Sequence, residues 1–358
     1  MQCNATGAQP PGQRVMSVLR GEIPDKIPFT VYECMISPCK TERELRNRGL
    51  CIIQRIPSYR IIRPNVKEKA NIYTDERGRK LIRTVYTSPA GELSTLTENG
   101  VNTIWTHEHI FKSPDDYKAL EFYINDSKII PDYGRVSKTA EMLGDDFAVR
   151  DQIPLEPLQA LISEYMGTET FSYEWMDNRD EILRLYSALG ELNRKVYPVV
   201  AEGPLEFANY GGNVVPQIIG KETFRKYYMP NYAEAAEALH RKGKLIGCHF
   251  DADNTPIMED IVETPLDYIE AYDPGISPPV DEAMKMWPNK VLWINWPSSW
   301  HLHSVKEVYE DTVKLIQQAG DKGRFLIGIT EDVPEDLWQG NYSTIMNAID
   351  SAIPQALP

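Results

Sequence analysis

Short apolar runs alternate with helix-patterned segments through the later part of this chain, and that alternation limits the folds open to it. The runs are FAVRD (147–151), PVVAE (198–202), KLIGCHF (244–250), LDYIEA (266–271), KVLWINW (290–296) and RFLIGITE (324–331). Helical periodicity fills the intervals, over Pro154–Tyr165, Arg179–Val196, Glu222–Arg241, Asp253–Val262, Val280–Trp287 and Val305–Gln318. Strands that alternate with helices at this spacing pair in parallel and are covered on both faces. Ile27–Glu33 adds a seventh strand, and an eighth is sought between residues 99 and 131. The expected fold is an α/β (β/α)8 TIM-type barrel, with an open doubly wound sheet as the alternative. A helical segment over Gln13–Gly21 precedes it as an N-terminal extension.

From Val66 to Thr97 the rhythm changes. VKEKANIYTD, RKLIRTVYT and GELSTLT alternate polar and apolar residues and are broken by ERG and SPAG. This predicts an antiparallel meander of two or three strands with one wet face. It is read as a β-rich insertion, residues about 53–110, within a single barrel domain spanning 1–358.

Composition narrows the partners. The formal charge of −14 argues against nucleic acid, whose phosphates need a basic footprint. No apolar run approaches the roughly 18 residues that span a bilayer, so no membrane partner is expected. MQCNATGAQPPGQR lacks the apolar stretch of a signal peptide and reads as a loose tail. Five cysteines without a CxxC pair fit neither a disulfide framework nor a four-cysteine zinc module, so a reducing cytoplasm is expected.

In a β/α barrel the chemistry sits where strands end. Those positions carry Glu33, Asp151, Glu202, His249 with Asp251, Glu270, Asn295 and Glu331. Asp151 and Asp253 are assigned first to helix capping, a common use of aspartate. In GCHFDAD, His249 and Asp251 are separated by one residue, and alternate residues of an extended strand point the same way. Glu270 and Glu331 at later strand ends add to a candidate metal set of His249, Asp251, Glu270 and Glu331. A rim of hydrogen-bonded carboxylates without an ion is the competing reading. His301 and His303 form a rival pair on a loop expected to be solvated, and His107 and His109 are read as structural or surface residues. Cys248, next to His249, should point into packing as an inert thiol. Phosphate loops, nucleophile elbows and dinucleotide fingerprints are absent.

Over nearly its whole length the chain resembles the uroporphyrinogen decarboxylase-like superfamily. The resemblance lies in VLRGEIPDKIPF, ISEYMGTETF, KYYMPNY leading to HRKGKLIGCHFDAD, LDYIEAYDP and FLIGITEDVPEDLW, in that order and spacing. It implies a β/α barrel. Decarboxylases of the superfamily carry an arginine-rich segment after the first strand to bind substrate carboxylates. Here YECMISPCKTERELR has no arginine before Arg43, which disfavours porphyrinogen decarboxylation.

The methyltransferase branch is closer. Enzymes similar to the methylcobamide:coenzyme M methyltransferases bind zinc through His-x-Cys and a later Cys, and cobalamin-independent methionine synthase adds a Glu. The resemblance implies His249 as the histidine, Asp251 at the first Cys position, Glu270 as the Glu and Glu331 near the last Cys. Replacing thiolates by carboxylates hardens the set and suits an oxygen substrate atom. The resemblance thus points to a corrinoid-dependent O-demethylase methyltransferase with Zn2+, with His249, Glu270 and Glu331 as its catalytic residues. It would transfer the methyl group of a methoxylated aromatic to the cobalamin-type Co(I) of a separate corrinoid protein. Tyr32, Glu33, Asn209, Tyr210 and Trp296 are the residues expected to hold the substrate. The alternatives are a decarboxylase-like lyase and a non-catalytic ligand-binding relative. The oligomeric state is open, a homodimer included.

Overall fold

The computed structural model describes residues 9–100, 103–320 and 323–352; the stretch 1–8, most of the segment read as a loose tail, lies outside them. Eight short parallel strands close into a barrel: β1 Phe29–Tyr32, β2 Leu50–Arg55, β3 Phe147–Leu155, β4 Phe207–Gly211, β5 Leu245–His249, β6 Tyr268–Tyr272, β7 Val291–Asn295 and β8 Phe325–Ile329. Neighbours in sequence are neighbours in the barrel, and β8 closes on β1 through Phe29↔Ile327 and Val31↔Ile329. The TIM-type barrel expected from the alternating pattern is therefore the fold. Its strands β1, β6, β7 and β8 are buried at every position, because one face meets the barrel interior and the other the surrounding helices.

Two of the expected strands move. PVVAE is not a strand: a single helix runs Arg179–Glu202 with Pro198 inside it, and the strand that follows is Phe207–Gly211. Glu202 is thus a helix end and not a strand-end acid. The remaining strand lies at Leu50–Arg55, ahead of the insertion, and not between 99 and 131. LCIIQR precedes the alternating part of the chain, and the start of the insertion expected at about residue 53 falls inside it. Asp151 also changes role, since β3 continues through it to Leu155 and the following helix is capped by Glu156, which accepts the N–H groups of Leu158 and Gln159.

The chain divides into two compact units, Met1–Pro57 with Gly134–Gln152 and Pro204–Pro358, and Ser58–Tyr133 with Ile153–Gly203. The barrel strands belong to the first unit, apart from residues 153–155 of β3. There the N-terminal helix Pro11–Leu19 sets Val15, Val18 and Leu19 into a cluster with Phe207, Tyr268, Val291, Trp293 and Leu326. Phe207, Tyr268 and Val291 open their strands, with Leu326 and Trp293 one and two residues further in, so apolar side chains fill the amino end of the barrel. Burying each such side chain contributes roughly 1.5–3 kcal/mol. The carboxyl end is left for chemistry.

In the second unit a four-stranded antiparallel sheet runs through Lys67–Thr74, Lys80–Ser88, Gly91–Asn99 and Ile104–Glu108, and Tyr59–Ile62 pairs with Lys128–Pro131. The meander expected from alternation is present, with one strand more than expected. Asp75 makes its first turn by accepting the N–H groups of Arg77 and Arg79 at 3.0 and 2.9 Å. Among the described residues no helix is long and apolar enough to cross a membrane.

Candidate metal and substrate site

Alternation along the strands decides which side chains enter the barrel. Tyr32 of β1, Arg55 of β2, Arg150 of β3, Asn209 of β4, His249 of β5 and Glu270 of β6 meet at its carboxyl end. His249 and Glu270 are register partners on adjacent strands, and this is why they touch. Just past Glu270 the register slips, with Ala271 in the left-handed region at φ 59°. A bulge of this kind bends the strand and re-aims its side chains. Gly212, beyond β4, makes the close approach that His249 requires, because a Cβ there would lie 1.9 Å from the His249 carbonyl oxygen.

Glu270 is completely buried and held from several sides. Its Oε1 accepts from the Arg150 guanidinium, and Oε2 accepts from Asn209 Nδ2 at 2.7 Å. His249 Nδ1 lies 3.3 Å from Oε2 and equally 3.3 Å from Tyr32 Oη. Burial alone would raise the Glu270 carboxyl, but the charge of Arg150 and the bond to His249 hold it down at about 2. The Tyr32 phenol moves the other way, up to about 12, through burial and the Glu270 charge.

The other imidazole nitrogen faces a different pair. Nε2 of His249 is 3.6 Å from Asp251 Oδ2 and 3.5 Å from Glu331 Oε1. The three donors lie within 4.8 Å of one another. The 3.6 and 3.5 Å separations from Nε2 are long for hydrogen bonds. They match the edge of a tetrahedron around an ion with metal–ligand bonds of roughly 2.1 Å, an edge of about 3.4 Å. One nitrogen and two oxygens form a borderline-hard set that suits a divalent cation. With only protons present, burial works against charge on His249, yet Tyr32 and the three carboxylates of Asp251, Glu270 and Glu331 hold its pKa well above the ordinary imidazole value. The position favours a cation.

Two further groups lie here that sequence reasoning did not select. Asp273, just past β6, has its carboxyl raised by burial and by the neighbouring charges of Glu331 and Asp251. Its Oδ1 accepts the Gly275 N–H at 2.7 Å. The arginines are the second omission. Arg55 stacks its guanidinium over the Tyr32 ring at 3.9 Å, binds Glu33 through Nε at 3.1 and 3.2 Å, and donates to Cys34 Sγ. Arginine does reach this end of the barrel, from β2 and β3, although none follows β1 directly. A charged residue inside an otherwise apolar run, as in FAVRD, was the available signal.

The remaining expected residues go elsewhere. Tyr210 adjoins Asn209 on β4, so the two point to opposite faces. Its ring packs edge-on to Tyr232 of the helix Met229–His240, 5.1 Å away. Trp296 is buried with its indole N–H on Thr312 Oγ1 of the helix Val305–Ala319. The structure does not bring either to the cluster. Glu33 stands at its edge, beside Arg55. Asp253 accepts from the Thr255 N–H at 3.0 Å, a turn role. His301 is buried, not solvated, with Nδ1 on Asn341 Nδ2 at 3.2 Å, whereas His303 binds Asp311 at 2.8 Å, so the two share no ligand position. Cys248 is buried as expected, its thiol pushed up to about 12 by desolvation. In the second unit His107 pairs with Glu98 at 2.8 Å, and His109 Nδ1 lies 3.3 Å from the Glu164 carbonyl oxygen.

No protein-family model matches the chain, and no curated protein does. Solved structures resemble it in fold. A methyltransferase from Methanosarcina mazei, 10% identical, aligns over 96% of this chain and 99% of its own with a TM-score of 0.59. A B12-independent methionine synthase from Shewanella sp. W3-18-1, in complex with selenomethionine, is 8% identical over 87% of this chain and 85% of its own, at a TM-score of 0.46. A GH20 catalytic module of the pneumococcal exo-beta-D-N-acetylglucosaminidase StrH is 11% identical over 94% and 86%, at 0.41. At 10% identity the likeness to the Methanosarcina methyltransferase concerns the fold, in agreement with the barrel described above.

Proposed function

We propose that this chain is a methyltransferase of the uroporphyrinogen decarboxylase-like superfamily, acting on a methoxylated aromatic and delivering its methyl group to the Co(I) of a separate corrinoid protein. One observation carries the reading: His249, Asp251 and Glu331 converge with one nitrogen and two oxygen donors at the open end of the barrel. The methyltransferase from Methanosarcina mazei, alike in fold over nearly both chains, supports methyl transfer as the class of reaction. Bound Zn2+ would supply Lewis acidity to the ether oxygen and so ease departure of a phenolate.

The chain's own residues do the rest. Asp251 and Glu331 flank Nε2 and would hold the ion together with it, with a further position left to substrate. Tyr32, capped by Arg55, presents a buried aromatic face beside His249, with the ring centroids 6.4 Å apart. Apolar side chains fill the amino end, so substrate and partner would both approach from the carboxyl rim. A lyase acting on a carboxylated substrate is the second reading, favoured by Arg55 and Arg150 at the same end. Both arginines are already paired, with Glu33 and Glu270, which weakens it.

The test is elemental analysis followed by turnover. Purified protein should hold about one zinc per chain, and His249→Ala should lose it. With a Co(I) corrinoid protein, the cobalt spectrum should report methylation from methoxybenzoates or methoxyphenols. Transfer only from methanethiol or methylamine would discard the O-demethylase reading, and no transfer from any donor would favour the lyase.

A further inference from the structure

The resemblance puts Glu270 among the ligands, but its surroundings are those of a carboxylate already engaged. Oε1 takes Arg150, and Oε2 takes Asn209 at 2.7 Å and faces His249 Nδ1 at 3.3 Å. Glu270 is 0% exposed and Arg150 3%. Drawing the carboxylate onto an ion would strand the guanidinium charge in the barrel interior, a heavily unfavourable change. The donors that share one point are on the far nitrogen, Nε2, with Asp251 and Glu331.

We infer that Glu270, clamped by Arg150 and Asn209, is a positioning residue that accepts the Nδ1–H of His249 and thereby aims the Nε2 lone pair at the point shared with Asp251 and Glu331. An ionised carboxylate only accepts, so its partner nitrogen must carry the proton. Carboxylates held behind a ligating imidazole fix its tautomer and ring orientation. The backbone is built for this aim, since Ala271 is held in the left-handed region directly after Glu270. The inference rests on the metal-site reading above and concerns which residues serve it.

Co(II), added alone to the full-length protein, is the probe, with affinity from titration and coordination from the visible bands. Wild type should bind about one equivalent. Glu270→Gln should still bind one, with unchanged band positions and intensity, and with affinity reduced 10–100-fold. Asp251→Asn and Glu331→Gln should change the bands themselves. Arg150→Met with Glu270→Gln removes both buried charges, should keep a cooperative thermal transition, and should weaken Co(II) no further than Glu270→Gln alone. Bands altered in Glu270→Gln as they are in Glu331→Gln would make Glu270 a ligand and overturn the inference while the metal site stands. Wild-type affinity in Glu270→Gln would also overturn it. A wild type that binds no Co(II) would remove the metal site itself.

Discussion

Arg150 and Glu270 show how much a single residue can carry inside a barrel. Their paired charges are both buried, so the desolvation of each is offset chiefly by the other, with Asn209 and His249 also facing the carboxylate. Arg150→Met should therefore cost about 3–5 kcal/mol in urea unfolding, and adding Glu270→Gln should recover most of it. A variant as stable as wild type would mean that water reaches the carboxylate. His301 makes a pH prediction away from the metal site. Burial lowers its pKa to about 4, so the folded protein holds it neutral while the unfolded chain protonates near 6.5. The unfolded state thus binds more protons between those values, and stability falls as the pH drops from 6.5 to 4. The fall should be of order 3 kcal/mol from this group, and His301→Phe should flatten that part of the stability–pH curve. An unchanged slope would assign the acid sensitivity to other groups.

At the scale of elements, the site depends on how β4, β5 and β6 meet. Gly212 lets the chain after β4 pass against the His249 backbone, where a Cβ would also lie 2.5 Å from the His249 Cβ. Gly212→Ala should cost roughly 1–3 kcal/mol through overpacking. Its larger effect should be on metal content, because the displaced group is the carbonyl and Cβ of a proposed ligand. Zinc retained at wild-type stoichiometry, with only stability reduced, would show that the strand end yields without moving the imidazole. Strand alternation explains which candidates met. Asn209 and His249 point inward, whereas Tyr210 and Cys248, their neighbours and each other's register partners, face the helix carrying Tyr232.

At the scale of the molecule, an acidic chain of net charge −14 concentrates Asp251, Asp273 and Glu331 at one end of a barrel whose other end is closed. Arg55 and Arg150 are both engaged by carboxylates, so uroporphyrinogen should not be decarboxylated, since its acidic arms would meet like charge without free arginine to receive them. Measurable release of CO2 from that substrate would reverse the assignment. Surface charge also sets docking, so methyl transfer to a corrinoid protein should slow with added salt if the partner presents a basic face to this rim.

The barrel was legible in the sequence because a parallel strand covered on both faces must be apolar throughout, and a crossover helix must follow it; both requirements are local. His249, Asp251, Glu270 and Glu331 were legible for the same reason, as polar residues interrupting apolar strands where a β/α barrel opens. Local pattern failed where propensity and burial look alike: PVVAE could serve a strand or the end of a long buried helix, and LCIIQR stands ahead of the alternating part of the chain, with the expected start of the insertion inside it. Only the tertiary structure could divide the four candidates, putting Glu270 on Nδ1 with Arg150 and setting Asp251 and Glu331 at Nε2. That division depends on strand register, a bulge at Ala271 and an arginine from β3, which bring together groups distant in sequence through packing that no local pattern encodes.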